Sequence, residues 1–209
     1  MEYKINDIEN ILKKLFSDNG CSWDKSQTFK TLRKSILEET YELIEAIDKD
    51  SVEDILEEVG DTLFVSLLII FVGEYGNHFK KEDVYKNISE KMIHRHPHVF
   101  KDNNYENWDW DKLKEEEKKY SSNKEILELI PKNSPSLLRA DKINGKMKKY
   151  FKEDIDLNTS EKFIQNNIKN SDEESLAKCL YHMSNIISKN NLNSELILNK
   201  FINEKVSNL

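Results

Sequence analysis

The sequence predicts an all-α protein, and three observations carry that expectation. The 209 residues include only 5 Gly and 3 Pro, about 4 % of the chain, where about 12 % is typical of globular proteins. Turn-rich β folds need these two residues at their corners, and alternating strands and helices would need more punctuation than this chain contains. Charged residues make up 34 % of the chain, above the usual value of about 25 %, and mean hydropathy is −0.74. Finally, apolar residues recur at helical spacing in block after block.

The first block is marked by Ile5, Ile8, Leu12, Leu15 and Phe16 and is expected to end near Asn19-Gly20. Cys21–Thr28 reads as a loop, and a second helix is expected from about Thr28 to Asp48. Ser51-Val52-Glu53-Asp54 has the pattern of a capping box, opening a third helix to about Tyr75-Gly76. A fourth spans Lys81–Arg95 and stops at His96-Pro97, because the residue before proline disfavours helical geometry. After the polar stretch around Asp102–Asn107, Trp110–Lys119 reads as a heavily charged fifth helix. Ser136–Phe151, Glu161–Asn170, Glu173–Lys189 and Ser194–Val206 form a further helical set.

Charge and composition narrow the function classes. The formal net charge is −7, from 32 basic and 39 acidic residues, so nucleic-acid binding through a basic surface is disfavoured. Cys21 and Cys179 share no metal-type or redox-type spacing, which suggests free thiols in a reducing compartment. Met1–Phe16 mixes charges into a helical pattern and lacks the apolar centre of a signal peptide. The longest apolar run, Leu63–Val72, is interrupted by Ser66 and falls short of the roughly 20 residues of a membrane span. A cytoplasmic protein with no membrane segment is expected.

Ser121–Pro135 is polar and holds two of the three prolines, which places domain boundaries at 1–121, a linker at 122–135 and a second helical region at 136–209. Glu57–Leu68 (EEVGDTLFVSLL) can be laid on Glu174–Asn185 (ESLAKCLYHMSN), with Ser175 opposite Glu58 and Lys178 opposite Asp61. Spacing alone makes this a weak internal repeat.

The most informative stretch is a carboxylate stripe. At 100° per residue, Glu38, Glu39, Glu42 and Glu45 occupy one sector about 120° wide. Leu37, Tyr41, Ile44 and Ile47 lie opposite, while Leu43 and Ala46 flank the acids on the far side. On the next helix Asp54, Glu58 and Asp61 share a sector that Val65 and Leu68 continue into the apolar run. Like charges at these spacings repel by a few tenths of a kcal/mol per pair even when exposed, and uncompensated burial costs several kcal/mol per charge. Clustered acids in line with buried positions therefore require protons, basic partners or a cation. Glu39 and Glu42 on one helix, facing Glu58 and Asp61 on its antiparallel neighbour, would present four carboxylates to one groove, as in carboxylate metal sites within helical bundles. Mg²⁺ is the hard cation such oxygens favour, with Mn²⁺ a possible substitute. A solvated acidic face is the competing reading.

These residues resemble a known family. Glu38-Glu39-x-x-Glu42 followed by Glu58-x-x-Asp61 is similar to the EExxE…ExxD motif of the all-α nucleoside triphosphate pyrophosphohydrolases, and the flanking sequence resembles MazG in particular. Cys21-Ser22-Trp23-Asp24-x-x-Gln27-Thr28 is similar to CPWDxxQT, with Ser22 in place of proline. Lys91 to Phe100 resembles KxxRRHPHVF, with His94 in place of an arginine. The stretch from Trp110 through Lys114 to Lys118 is similar to W-x-x-x-K-x-x-EK, and Ile130-Pro131…Pro135-x-Leu137-Leu138-Arg139-Ala140-x-Lys142 to the segment between repeats.

The resemblance covers about residues 1–150. It implies two helical-bundle repeats, the second degenerate here, and Mg²⁺-dependent hydrolysis of nucleoside triphosphates to monophosphate and pyrophosphate, broad for ribo- and deoxynucleotides. Glu39, Glu42, Glu58 and Asp61 would be metal ligands, and Glu38 would orient or deprotonate the attacking water. Lys91 and Arg95 match the basic positions and are candidates for phosphate contact. Trp110 and Lys114 lie where the motif continues, and Trp110 would stack on a base or serve as an internal aromatic. Trp23 would shape the pocket or anchor its loop. A homodimer with the site near the subunit contact is also implied. His94, His96 and His98 lack supporting cysteines, which leaves zinc a minor alternative. A narrower dUTP- or dCTP-type pyrophosphatase shares the acidic motif, and a non-catalytic helical interaction protein is the reading from a different class.

Overall fold

A computed structural model describes residues 3–100, 110, 113, 117 and 122–208. The described residues contain helices and turns but no strand, in agreement with the all-α expectation. None of these helices is long and apolar enough to cross a membrane. The chain divides into two compact units, Met1–Glu116 and Glu117–Leu209.

The first unit comprises α1 (Ile5–Leu15), α2 (Ser22–Lys25), α3 (Phe29–Asp48), α4 (Val52–Tyr75), α5 (Lys81–Arg95) and α6 (Pro97–Phe100). The expected fifth helix from Trp110 falls almost wholly outside the described residues. α1 stops at Leu15, short of Asn19-Gly20, because the Cys21 N–H turns back to the Leu15 carbonyl at 2.8 Å. A Cβ at Gly20 would collide with that same carbonyl, so glycine permits the close approach. Ser51 caps α4 by accepting from the Asp54 N–H at 3.3 Å.

α3 and α4 form the most extensive helix pair of the unit. Their core joins Leu12 of α1 and Leu32 of α3 to Leu67, Leu68, Phe71 and Val72 of α4, with Ile8, Phe16 and Phe64 packed around it. Gly73 gives the Phe79 ring room to close on α4, since a Cβ there would enter the ring. The buried side of α3 is Leu32, Ile36, Glu39, Leu43 and Ala46, all buried or half-buried, whereas Leu37, Tyr41 and Ile47 are exposed. One carboxylate thus lies within the packing stripe.

α1 is tied to α5 by a polar trio of the buried Glu9 with the half-buried Lys81 and Tyr85. Glu9 accepts from Lys81 Nζ at 2.7 Å and from the Tyr85 hydroxyl at 2.5 Å. The bond from Lys81, followed by that from Tyr85, holds Glu9 below the usual carboxylate range. Burial, with the bond to Glu9, pushes Tyr85 up to about 12. Because the folded carboxyl is the stronger acid, its stabilisation is complete above the ordinary carboxylate pKa and is lost as pH falls through the depressed value. Tyr85→Phe is expected to cost about 1.5–3 kcal/mol, the usual worth of a hydrogen bond to a charged group. Glu9→Gln should flatten the acid limb of a stability-versus-pH curve from chemical denaturation.

The second unit comprises α7 (Asn123–Glu128), α8 (Ser136–Lys146) continuing as a π-helical turn over Met147–Phe151, α9 (Leu157–Asn167), α10 (Glu173–Lys189) and α11 (Ser194–Ser207). The segment 122–135, read from sequence as a linker, therefore contains a short helix, and Ile126 and Ile130 are buried. α9 begins before the expected Glu161 because Asp156 accepts from the Thr159 N–H at 2.8 Å and caps the helix there. α9 and α10 pack as the main pair of this unit. Asp141 of α8 receives the Ser194 N–H at 3.0 Å and the Ser194 hydroxyl at 2.7 Å, fixing the start of α11.

Candidate active site

The site is built on the α3–α4 pair. Thr28 caps α3 by accepting from the Thr31 N–H at 3.2 Å, and the Thr31 hydroxyl donates to Gln27 Oε1 at 2.8 Å. Gln27 also donates to the Trp23 carbonyl at 3.0 Å. The Gln-Thr pair thus sets the helix start and its phase, and thereby the direction of the acids that follow. The segment expected as a loop contains the short helix α2, in which Asp24 is buried while Trp23 is exposed.

Glu39 of α3 and Glu58 and Asp61 of α4 each offer an oxygen, and these three oxygens lie within 4.8 Å of one another. Nearby, the Thr62 hydroxyl makes a long contact of 3.5 Å to the Glu39 carbonyl across the helix pair. Thr62 did not stand out in the sequence; its only signal was its place beside Asp61. Glu39 and Glu58 are half-buried, and Asp61 is exposed. Oε2 of Glu58 is buried with no hydrogen-bond partner. Among the described residues no lysine or arginine forms an ion pair with Glu39, Glu58 or Asp61.

Burial raises the Glu39 carboxyl above its ordinary range, with Glu42, Asp61 and Glu38 adding repulsion. Burial likewise raises Glu58, followed by the charges of Glu42, Asp61, Glu57 and Glu39. Glu42 is exposed and outside the tight trio, yet its charge reaches both inward carboxylates. Glu38 is also exposed and pairs with Lys34 at 3.1 Å. The four expected ligands therefore divide into three that converge and one at their rim. An orphaned buried oxygen among crowded, raised carboxyls fits a divalent cation, because hard cations take oxygen ligands and remove the repulsion.

The basic and aromatic candidates lie on α5 and beyond. Lys91 lines a cleft of about 430 Å³ with Phe79, Asp83, Val84 and Ile88. Arg95 is 8 % exposed, and its guanidinium lies 5.2 Å from the centre of the Trp110 ring. His96 meets the same ring edge-on at 5.2 Å, and its Nδ1 is 2.7 Å from the Met92 carbonyl. The structure thus joins Arg95 and Trp110 to each other. Lys114 lies outside the described residues.

Fold and site together define an all-α protein with an acidic groove between antiparallel helices. Residues 27–100 match the family description "MazG nucleotide pyrophosphohydrolase domain", and this segment of the chain belongs to that family. The chain is 37 % identical over 146 residues to a nucleoside triphosphate pyrophosphohydrolase of Escherichia coli K12, covering 67 % of this chain and 56 % of that protein. It is 40 % identical over 129 residues to a nucleoside triphosphate pyrophosphohydrolase/pyrophosphatase MazG of Thermotoga maritima, covering 60 % of this chain and 51 % of that one. A Bacillus subtilis protein named "Uncharacterized protein YabN" is 40 % identical over 146 residues, covering 68 % of this chain and 30 % of its own length. The chain spans about half the length of the two named enzymes.

Proposed function

We propose that the first unit hydrolyses nucleoside triphosphates, ribo- and deoxy- alike, to the monophosphate and pyrophosphate. The convergence of Glu39, Glu58 and Asp61 around an unpartnered buried oxygen carries this reading. These three would hold Mg²⁺, or Mn²⁺ in its place, and Glu42 at the rim would complete the set. When bound, the cation would neutralise phosphate charge and acidify a coordinated water.

The chain's own residues supply the rest. Glu39 and Glu58 stand on two helices that pack as the main pair of the unit, so helix packing sets the spacing of the acids. Glu38, exposed beside Glu39, would accept the proton of the water attacking the α-phosphorus. Lys91, on the cleft of α5, would balance the negative charge of departing pyrophosphate. Arg95, buried against Trp110, acts as a positioning residue for that ring. The free Cys21 and Cys179 suit a cytoplasmic setting. The test is pyrophosphate release from a panel of ribo- and deoxynucleoside triphosphates with and without Mg²⁺. Cation-dependent release across the panel is expected; release from a single pyrimidine deoxynucleotide would replace broad use with a narrow specificity.

Cation binding also has a pH signature. Glu39 and Glu58 titrate above the unfolded range, so their contribution to stability without metal is favourable in acid and declines as pH rises through the raised values. Mg²⁺ should therefore raise the melting temperature more near pH 7 than near pH 5, where protons already neutralise carboxyls. A thermal melt at both pH values checks this.

A homodimer is part of the proposal. Val52, Leu56, Val59 and Leu63 form an exposed apolar stripe on α4, with Val52 80 % and Leu56 78 % exposed. Contiguous apolar surface of this kind marks an interaction face. Leu56→Glu is expected to convert a dimer to a folded monomer in sedimentation measurements, with circular dichroism unchanged.

A further inference from the structure

The second unit buries polar side chains where α8, α9 and α10 meet. The register that sets Ser175 opposite Glu58 also sets His182, Ser184 and Asn185 opposite Val65, Leu67 and Leu68, which are buried in the first unit. Ser160, Ser184, Asn144 and Asn185 are all buried, Asn144 at 8 % and Asn185 at 5 % exposure. Burying polar groups is costly unless they are satisfied, so a polar cluster at such positions calls for a reason beyond packing.

The hydrogen bonds fix how these groups are turned. The Ser184 hydroxyl donates to the Tyr181 carbonyl at 3.1 Å, so it must accept from Asn144 Nδ2 at 3.2 Å. Asn185 Nδ2 donates to the Ile155 carbonyl at 2.9 Å and to Ser160 Oγ at 3.0 Å. Ser160 Oγ also lies 3.1 Å from His182 Nδ1, so the imidazole joins the same buried network. Burial lowers the His182 pKa. Both amide nitrogens are committed to protein acceptors, and neither Oδ1 receives a hydrogen bond from a described residue.

Asn144 and Asn185 wall a cleft of about 620 Å³ and its smaller neighbour of about 230 Å³, which also reaches Tyr181. Lys189 and Lys148 stand on the larger cleft and share Asp154, at 2.5 and 3.4 Å. Asp156 also lines it, with its carboxylate engaged in capping α9. The π-helical turn that carries Lys148 ends at Lys152 with φ 56°; π turns recur beside functional sites. Two ammonium groups facing two carboxylates leave the cleft without net charge, which disfavours a polyphosphate.

We propose that this cleft binds a neutral vicinal diol, as found in a free sugar or in the ribose of a nucleoside. Each hydroxyl both donates and accepts, which matches the mixture of fixed amide oxygens and lysine ammonium donors. The site goes beyond the first unit's hydrolytic chemistry and does not depend on it.

The test is an NMR titration of the ¹⁵N-labelled full chain with D-ribose, uridine and 2′-deoxyuridine. Ribose and uridine are expected to shift the signals of Asn144, Asn185 and Lys189 at millimolar concentrations. 2′-Deoxyuridine should bind about tenfold more weakly, the cost of an unmade hydrogen bond. Comparable binding of ribose and uridine assigns a sugar site, tighter binding of uridine assigns a nucleoside site, and both uphold the diol reading. Asn144→Ala can unfold the unit, so Lys189→Met at the cleft wall serves as the variant; it should weaken binding while distant signals stay in place. Equal binding of uridine and 2′-deoxyuridine, or no shift with any of the three, overturns the proposal.

Discussion

Glu58→Gln is expected to lower Mg²⁺-dependent pyrophosphate release by about 10²–10³-fold, the usual effect of removing a group that organises transition-state charge. The same change should raise the melting temperature of the metal-free protein. Burial and four neighbouring carboxylates disfavour the charged form of Glu58, and a neutral amide removes that repulsion. Added Mg²⁺ should then no longer stabilise the variant as it does the parent. Loss of activity with a gain in metal-free stability is the mark of a site held under electrostatic tension for function. A scaffold carrying a solvated acidic face would show neither.

The largest loss of stability is expected from Leu68→Ala. Leu68 is 2 % exposed and packs with Leu12, Leu32, Leu67, Phe71 and Val72. Truncation there removes side-chain contacts and leaves a cavity, at a cost of about 2–5 kcal/mol. Leu68 continues the sector of Glu58 and Asp61 along α4, so the same packing that stabilises the unit sets the phase of the site. Urea denaturation of the variant should show a lower midpoint for the first unit. Gly73→Ala should also destabilise, because the new methyl group would displace the Phe79 ring.

Much of this architecture was legible because helical spacing and capping signals act locally. Ser51 marked the start of α4, and Asp54, Glu58 and Asp61 aligned with the buried Val65 and Leu68 as periodicity predicts. The first unit's α3 shows where spacing stops being informative. Its acids have apolar neighbours on both flanks, and a helical wheel gives their relative angles without saying which flank meets α4. Packing selects Leu32, Ile36, Leu43 and Ala46, which turns Glu39 inward and leaves Glu38 and Glu42 outside. The paired basic residues were legible only as a spacing. That Arg95 is buried against Trp110 depends on a tertiary contact that no local pattern encodes.

Helix ends were less legible for a related reason. Gly and Pro are the usual punctuation of a sequence, but this chain turns corners with other residues. Asp50, Asn77, Lys152, Ser171 and Asn191 all adopt left-handed backbone with φ between 53° and 58°. Asn and Asp tolerate that region better than other side chains, which accounts for Asp50, Asn77 and Asn191. The polar cleft of the second unit was hidden for another reason. Asn144, Asn185 and Lys189 are unremarkable as a sequence pattern and acquire meaning only when α8 and α10 bring them to one wall.

In the proposed reaction, water attack at the α-phosphorus runs through the acids of the first unit. It is tested most directly by running the reaction in H₂¹⁸O with Mg²⁺ and following the products by ³¹P NMR. The account predicts ¹⁸O in the nucleoside monophosphate and unlabelled pyrophosphate. Labelled orthophosphate with a nucleoside diphosphate, or no turnover of any triphosphate by the folded protein, would contradict it.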